Sequence, residues 1–206
     1  MRASIVFAAL LAGTAPALAQ FVSGNVFYSR DSDSFEEFRV GAGWTAANGF
    51  GIAAAGLRFS APGWSENGSL LAGTYREYSR ETQIDASLGA LDLAGKVYAV
   101  GTVDYVHRWA SGNGLGFSLD RNIVNSQGGI EDGITQNTAV LVGDYLFTPT
   151  FNVGAAAGLT YFSDGNTRPV LRTRWNYELV ADYGLNAYLK TRSYTNSDPG
   201  RPQYYS

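Results

Sequence analysis

FNVGAAAGLTYFSD, Phe151–Asp164, alternates with a period of two along its whole length. Odd positions carry Phe151, Val153, Ala155, Ala157, Leu159 and Tyr161; even positions carry Asn152, Gly154, Ala156, Gly158, Thr160, Phe162 and Asp164. In an extended chain successive side chains point to opposite faces, so the segment has one apolar face with a ring at each end and one face of small and polar groups. That is the pattern of a strand that meets lipid on one side and water on the other, with aromatic girdles at the two interfaces.

Working outward, the same period continues. Leu171, Thr173, Trp175, Tyr177 and Leu179 oppose Arg172, Arg174, Asn176 and Glu178. Tyr183, Leu185, Ala187, Leu189 and Thr191 oppose Gly184, Asn186, Tyr188, Lys190, Arg192 and Tyr194. Toward the N-terminus, Leu115, Phe117 and Leu119 oppose Gly116, Ser118, Asp120 and Asn122; Val97, Ala99, Val103 and Tyr105 oppose Thr102, Asp104 and Arg108. Ile84, Ala86, Leu88 and Ala90 oppose Asp85, Ser87 and Gly89. Ala53, Ala55, Leu57 and Phe59 read as one face against Arg58 and Ser60, and Phe38, Val40, Ala42 and Trp44 as one face against Glu37, Arg39, Gly41, Gly43 and Thr45. Weaker segments at 21–30, 69–79 and 135–147 bring the expected number to about eleven strands, or twelve if a weak segment hides another.

A soluble barrel or sandwich also alternates, so the faces themselves decide. The apolar set carries essentially no charge, whereas the other set holds Gly, Ser, Thr and charges of both signs. A Lys or Arg at the bilayer midplane costs about 2–4 kcal/mol, so a charge-free face suits lipid and the charged face suits a wet lumen. The expected fold is therefore all-β, an antiparallel transmembrane β-barrel.

Connections support this reading. Short turns are expected at 46–49, 79–82, 110–113, 148–150 and 180–182, and longer loops at 30–34, 61–68, 124–133 and 163–169, with 91–95 as a short exception. The odd count sits badly with bacterial barrels, which close with an even number of strands. The last residues, Asp198–Ser206, contain Pro199 and Pro202 and do not read as a closing strand. The expectation is an incomplete barrel lacking closing strands.

At the other end, Arg2, the apolar run Ile5–Ala12 and Ala17-Leu18-Ala19 form a secretory leader with cleavage near Ala19. The expected division is a signal peptide over 1–19 and a barrel domain over 20–206. The chain has no Cys, which excludes disulfides and thiolate metal sites. Its 25 Gly, 13 Tyr, 11 Phe and 4 Trp beside one Met and six Pro favour strands over amphipathic helices. A formal charge of −3 without a basic patch gives no reason to expect a nucleic-acid partner.

Phe162–Arg168, Tyr194–Asp198, Tyr204-Tyr205-Ser206 and Asp120-Arg121-Asn122 resemble the C-terminal barrels of outer-membrane exopolysaccharide export porins, those for poly-N-acetylglucosamine and, more distantly, cellulose. The resemblance covers about residues 115–206. It implies a bacterial outer-membrane protein that passes a polar exopolysaccharide, as in biofilm formation. In that family the barrel has more strands and a helical-repeat domain precedes it, whereas here the first strand is expected directly after the leader.

The lumen-facing candidates for a substrate path are Asp104, Arg108, Asp120, Arg172, Arg174, Glu178, Tyr188, Lys190 and Arg192, beside Arg39, Arg58, Asp85 and Asp144. Most of these charges are expected only to fix the inner hydrogen-bond network; the rest would offer donors and acceptors to sugar hydroxyls, with Tyr188 and Tyr194 as flat surfaces for rings. A conduit needs many weak contacts, because a tightly held substrate does not leave. His107, the single histidine, shares the parity of Val103 and Tyr105 and reads as a girdle residue, so no Ser–His machinery is expected. Asp31/Asp33 and Glu131/Asp132 read as solvated loop charge rather than Ca²⁺ ligands. No enzyme activity, metal site or cofactor is expected. The alternatives are a structural or adhesive barrel without transport and, less well supported, a lipid-modifying enzyme.

Overall fold

The computed structural model describes residues 7–13, 21–31, 34–148, 150–180 and 185–194, with side chains described from 21 to 177 within those ranges. A single antiparallel sheet contains every strand, in chain order. The strands are β1 (Phe7–Gly13), β2 (Phe21–Arg30), β3 (Glu36–Thr45), β4 (Phe50–Ala61), β5 (Trp64–Tyr78) and β6 (Thr82–Leu93). They continue as β7 (Lys96–Arg108), β8 (Gly114–Ile123), β9 (Thr135–Thr148), β10 (Phe151–Phe162), β11 (Thr167–Val180) and β12 (Leu185–Tyr194), with one short helix, α1 (Gln127–Asp132), between β8 and β9. Among the described residues each strand pairs with its neighbours in sequence, and β1 and β12 do not pair with each other. β1 is the apolar centre of the expected leader, laid against β2 with Ala9 opposite Val26; cleavage at Ala19 would leave β2 at the sheet edge.

Register sorts the side chains. From β6 to β11, Ala86, Val103, Leu119, Ala139 and Leu159 share one face, as do Ile84, Tyr105, Phe117, Leu141, Ala157 and Leu171 on the adjoining row. These are the sets the sequence assigns to lipid. They lie on the exposed side: Leu88 is 74 % and Leu141 68 % accessible. The opposite, inner face holds Asp85, Asp104, Ser118, Val140 and Gly158 in one row.

β4 departs from expectation. Trp44 pairs with Ile52 and Phe38 with Arg58, so Ile52 and Arg58 face outward while Leu57 and Phe59 are buried on the inner face. The run Ile52-Ala53-Ala54-Ala55 has no polar residue to set its phase, and the pairing with β3 sets it instead. Arg58 is thus not a lumen residue. It lies near the end of its strand.

Two loops also differ. The expected loop at 61–68 is a two-residue turn: Ala61 pairs with Trp64, and Pro62-Gly63 makes the turn with Gly63 at φ 77°. Pro at the first central position and Gly at a positive-φ second position suit such a turn, and the strands on either side are correspondingly longer.

The expected loop at 124–133 folds inward around α1. Val124 N–H donates to the Ile134 carbonyl (2.8 Å) and closes its base. Ser126 caps the helix by accepting from the Gly129 N–H, and Gly133 ends it at φ 68°. Ile130 then packs with Leu57, Phe59, Leu91, Leu93, Val100 and Ile123, and Phe35 and Trp64 flank them. The Asn125 amide donates to the Glu37 carboxylate at 2.6 Å, so a loop rooted between β8 and β9 reaches β3. The sheet is curved enough for its fourth and eighth strands to share one apolar cluster.

Ile130→Ala removes a fully buried side chain from this cluster and is expected to lower stability by about 2–4 kcal/mol. Urea unfolding in detergent micelles measures this; a loss no larger than that of the outward Leu88→Ala would contradict the assignment of the two faces.

Candidate functional site

The half of the inner face away from α1 carries a cross-strand network of charges. One cross-strand row runs Arg108, Gly114, Asp144, Gly154 and Arg174 across β7 to β11. Asp144 sits at its centre and accepts from both arginines, from Arg108 at 3.2 Å and from Arg174 at 2.9 Å. Adjacent strands are about 4.8 Å apart, so each guanidinium must cross an intervening strand to reach the carboxylate. Gly154 makes the Arg174 crossing possible, whereas a side chain at Gly114 would meet Arg108 only in ordinary contact. A Cβ on Gly154 would stand 2.6 Å from Asp144 Oδ1 and 3.5 Å from Arg174 Nε, and one on Gly114 would stand 3.5 Å from Arg108 Cγ.

A second pair lies on the neighbouring strands. Arg76 on β5 holds Asp85 on β6 at 2.9 Å, and the Tyr78 hydroxyl donates to the other oxygen of the same carboxylate. Closer to α1, Arg39 bonds Glu37 at 2.6 Å and lies over the Phe27 ring. Ser87 and Thr102 share a hydroxyl hydrogen bond at 3.1 Å, and Thr138 and Thr160 one at 2.9 Å. These contacts tie β3, β5–β7 and β7–β11 through side chains as well as backbone.

Of the residues the sequence singles out, Asp104, Arg108, Asp120, Arg172 and Arg174 all lie on the inner face. Thr102 pairs with Asp120, Asp104 with Ser118 and Ala156 with Arg172. Arg172 acts electrostatically on Asp120. Arg108, Arg172, Arg174, Asp104 and Asp144 line one cleft of about 350 Å³. The side chains of Glu178, Tyr188, Lys190 and Arg192 lie outside the described ones; the backbone sets Lys190 opposite Arg174, Arg192 opposite Arg172, Tyr188 opposite Asn176 and Asn186 opposite Glu178. Tyr194 lies opposite Val170.

Arg76 and Arg168 join the inner face unannounced. For Arg76 the signal was available: it pairs directly with Asp85, whose face the sequence fixes. Its own strand alternates too weakly to show it.

His107 takes the outward face, opposite Thr82 and Leu115, with its ring 5.5 Å from that of Trp109. It belongs to an exposed series of rings at the short-turn end that includes Tyr105–Phe117 (5.6 Å), Tyr145–Phe147 (4.7 Å) and Phe151–Trp175 (6.3 Å). Among the described residues no group of three or more His, Asp or Glu is placed to hold a metal ion.

No protein-family model, curated protein or solved structure matches the chain.

Asp144→Asn leaves two guanidinium groups facing a neutral amide. Both arginines are partly exposed, so solvent screens the loss, and a drop of about 1–3 kcal/mol in stability is expected. Gly154→Val should give a drop of similar size by displacing the Asp144 carboxylate. Urea midpoints of both variants check this, and a wild-type midpoint for Asp144→Asn would show that the row contributes nothing.

Proposed function

We propose that the chain is an outer-membrane barrel wall of the porin type, set in the bacterial outer membrane after removal of the leader, and that it encloses a wet path for a polar polymer, an exopolysaccharide. One observation carries the reading: a single curved sheet has an outward face of exposed Leu, Ile, Val and rings and an inward face of opposed charges. A large contiguous apolar surface on a monomer marks a lipid or protein contact. No helix among the described residues is long and apolar enough to cross a membrane, so a crossing by this chain uses strands.

The dimensions agree. Outward positions of β7 from Val97 to His107 cover about 33 Å along the strand. At a tilt near 40° that is about 25 Å, the height of a barrel's lipid band. The ring series lies at one end of this band. Arg121 stands opposite Gly101, near the middle of this span, bonded to the Ala99 carbonyl at 3.1 Å and the Asn137 side chain at 2.8 Å, so its charge is not left bare.

The interior supports passage at one end and restriction at the other. Charged rows and small residues at Gly154, Ala156 and Gly158 suit hydroxyl-rich solutes, while the α1 cluster narrows the path with apolar side chains. A second reading draws on that cluster: a structural barrel that α1 seals permanently, with no transport.

Planar-bilayer recording separates the two. Replacing Asn125–Gly133 by Asn-Gly, a sequence suited to a tight hairpin, removes α1 and retains the Val124–Ile134 pairing. The conduit reading expects conductance that rises in this variant. An intact, membrane-inserted protein that stays silent with and without α1 would favour the sealed barrel and count against transport.

A further inference from the structure

The inner charges are unevenly distributed. Acids stand one to a strand on four successive strands: Asp85 on β6, Asp104 on β7, Asp120 on β8 and Asp144 on β9. Bases concentrate on β11, with Arg168, Arg172 and Arg174, and the backbone register sets Arg192 and Lys190 of β12 opposite the last two. Between the two groups, the middle of β10 offers Gly154, Ala156, Gly158 and Thr160 to the inner face, with Asn152 and Phe162 at its ends, leaving an open floor.

On that floor lies the cleft of about 350 Å³ lined by Asp104, Arg108, Ser118, Asp144, Arg172 and Arg174. Asp144 already accepts from Arg108 and Arg174, which neutralises it twice over. Arg172 is left without an ion pair within 4 Å among the described residues. Its Nε–H is buried and has no acceptor among them. An unpaired guanidinium lining a cleft offers its remaining N–H groups to a ligand oxygen.

We infer that this cleft recognises an anionic sugar unit, a carboxylate-bearing residue of an acidic oligosaccharide, whose carboxylate lies on the Arg172 guanidinium above Ala156. The inference rests on the wet interior proposed above and deepens it by naming the substrate class. A guanidinium matches a carboxylate with paired hydrogen bonds, which a neutral hydroxyl cannot equal. Ser118 and Asp104, on the far side of the floor, accept and donate to the hydroxyls of the sugar. Arg108 and Arg174 stay engaged with Asp144 and shape the cleft rather than hold the ligand.

Titration calorimetry in detergent micelles tests this on the intact protein, with hexagalacturonate as the acidic probe, maltohexaose as the neutral one and inorganic sulfate as a free anion. Hexagalacturonate is expected to bind at least about tenfold more tightly than either control, the scale of one charge-assisted hydrogen bond. Arg172→Gln should remove about that factor, Arg172→Lys less, and the outward Arg121→Gln none. Ala156→Glu places an acid beside Arg172 without touching it, and should cause the same loss if Arg172→Gln fails to fold. Equal binding of the acidic and neutral probes, sulfate binding as tightly as the hexasaccharide, or hexagalacturonate binding unchanged by Arg172→Gln and Ala156→Glu would each overturn the inference. Arg172-dependent binding in a protein that conducts no ions would instead strike at the conduit reading and leave the recognition site standing.

Discussion

Cross-strand register decides on which side of the sheet every side chain lies, and a slip of one residue would exchange the two faces. In this chain such a slip would turn Asp85, Asp104 and Asp120 outward and Leu88, Val103 and Leu119 inward. On the proposed membrane reading, the cost of several charges in hydrocarbon, about 2–4 kcal/mol for each Lys or Arg and less for Asp, would hold the register more firmly than any single contact. The inner ion pairs, the outward rings and the placement of α1 all follow once that register is set.

The interior is then divided along its length. Near α1 it behaves as an ordinary protein core: Leu57, Phe59, Leu91, Leu93 and Ile130 exclude water and tie β4, β6 and the β8–β9 connection together. At the short-turn end charged side chains bridge strands instead. Arg108, Asp144 and Arg174 link β7, β9 and β11 across two glycines, a connection that needs the empty space of Gly154 as much as the charges. The first device brings distant strands of the sheet together. The second braces neighbouring strands while leaving polar groups accessible.

Strand positions were legible in the sequence because the two faces of the sheet place opposite demands on alternate residues. Where those demands were sharp, as at Ile84–Ala90, Leu115–Asn122 and Phe151–Phe162, the faces are as the period predicts. Where the chain offered only Ala and Gly, as at Ile52–Ala55, the phase was ambiguous, and pairing of Trp44 with Ile52 resolved it. Arg58 was misplaced for that reason. The inward helix was not legible at all: Gln127-Gly128-Gly129-Ile130 has the composition of a loop, and only the apolar inner ends of β4, β6 and β8 give Ile130 somewhere to go. Site charges on strong strands were found from parity alone; Arg76, on a strand of weak alternation, needed its partner Asp85 to be seen.

The central claim is that hydrocarbon solvates one face of the sheet and water the other. Spin labels placed singly at positions 151–161 in proteoliposomes test it most directly, by comparing collision with oxygen, which concentrates in lipid, and with a water-soluble nickel chelate. The account predicts a period of two, with odd positions open to oxygen and even positions open to the chelate. Equal access of the nickel chelate to both sets, or an inverted phase, would contradict it.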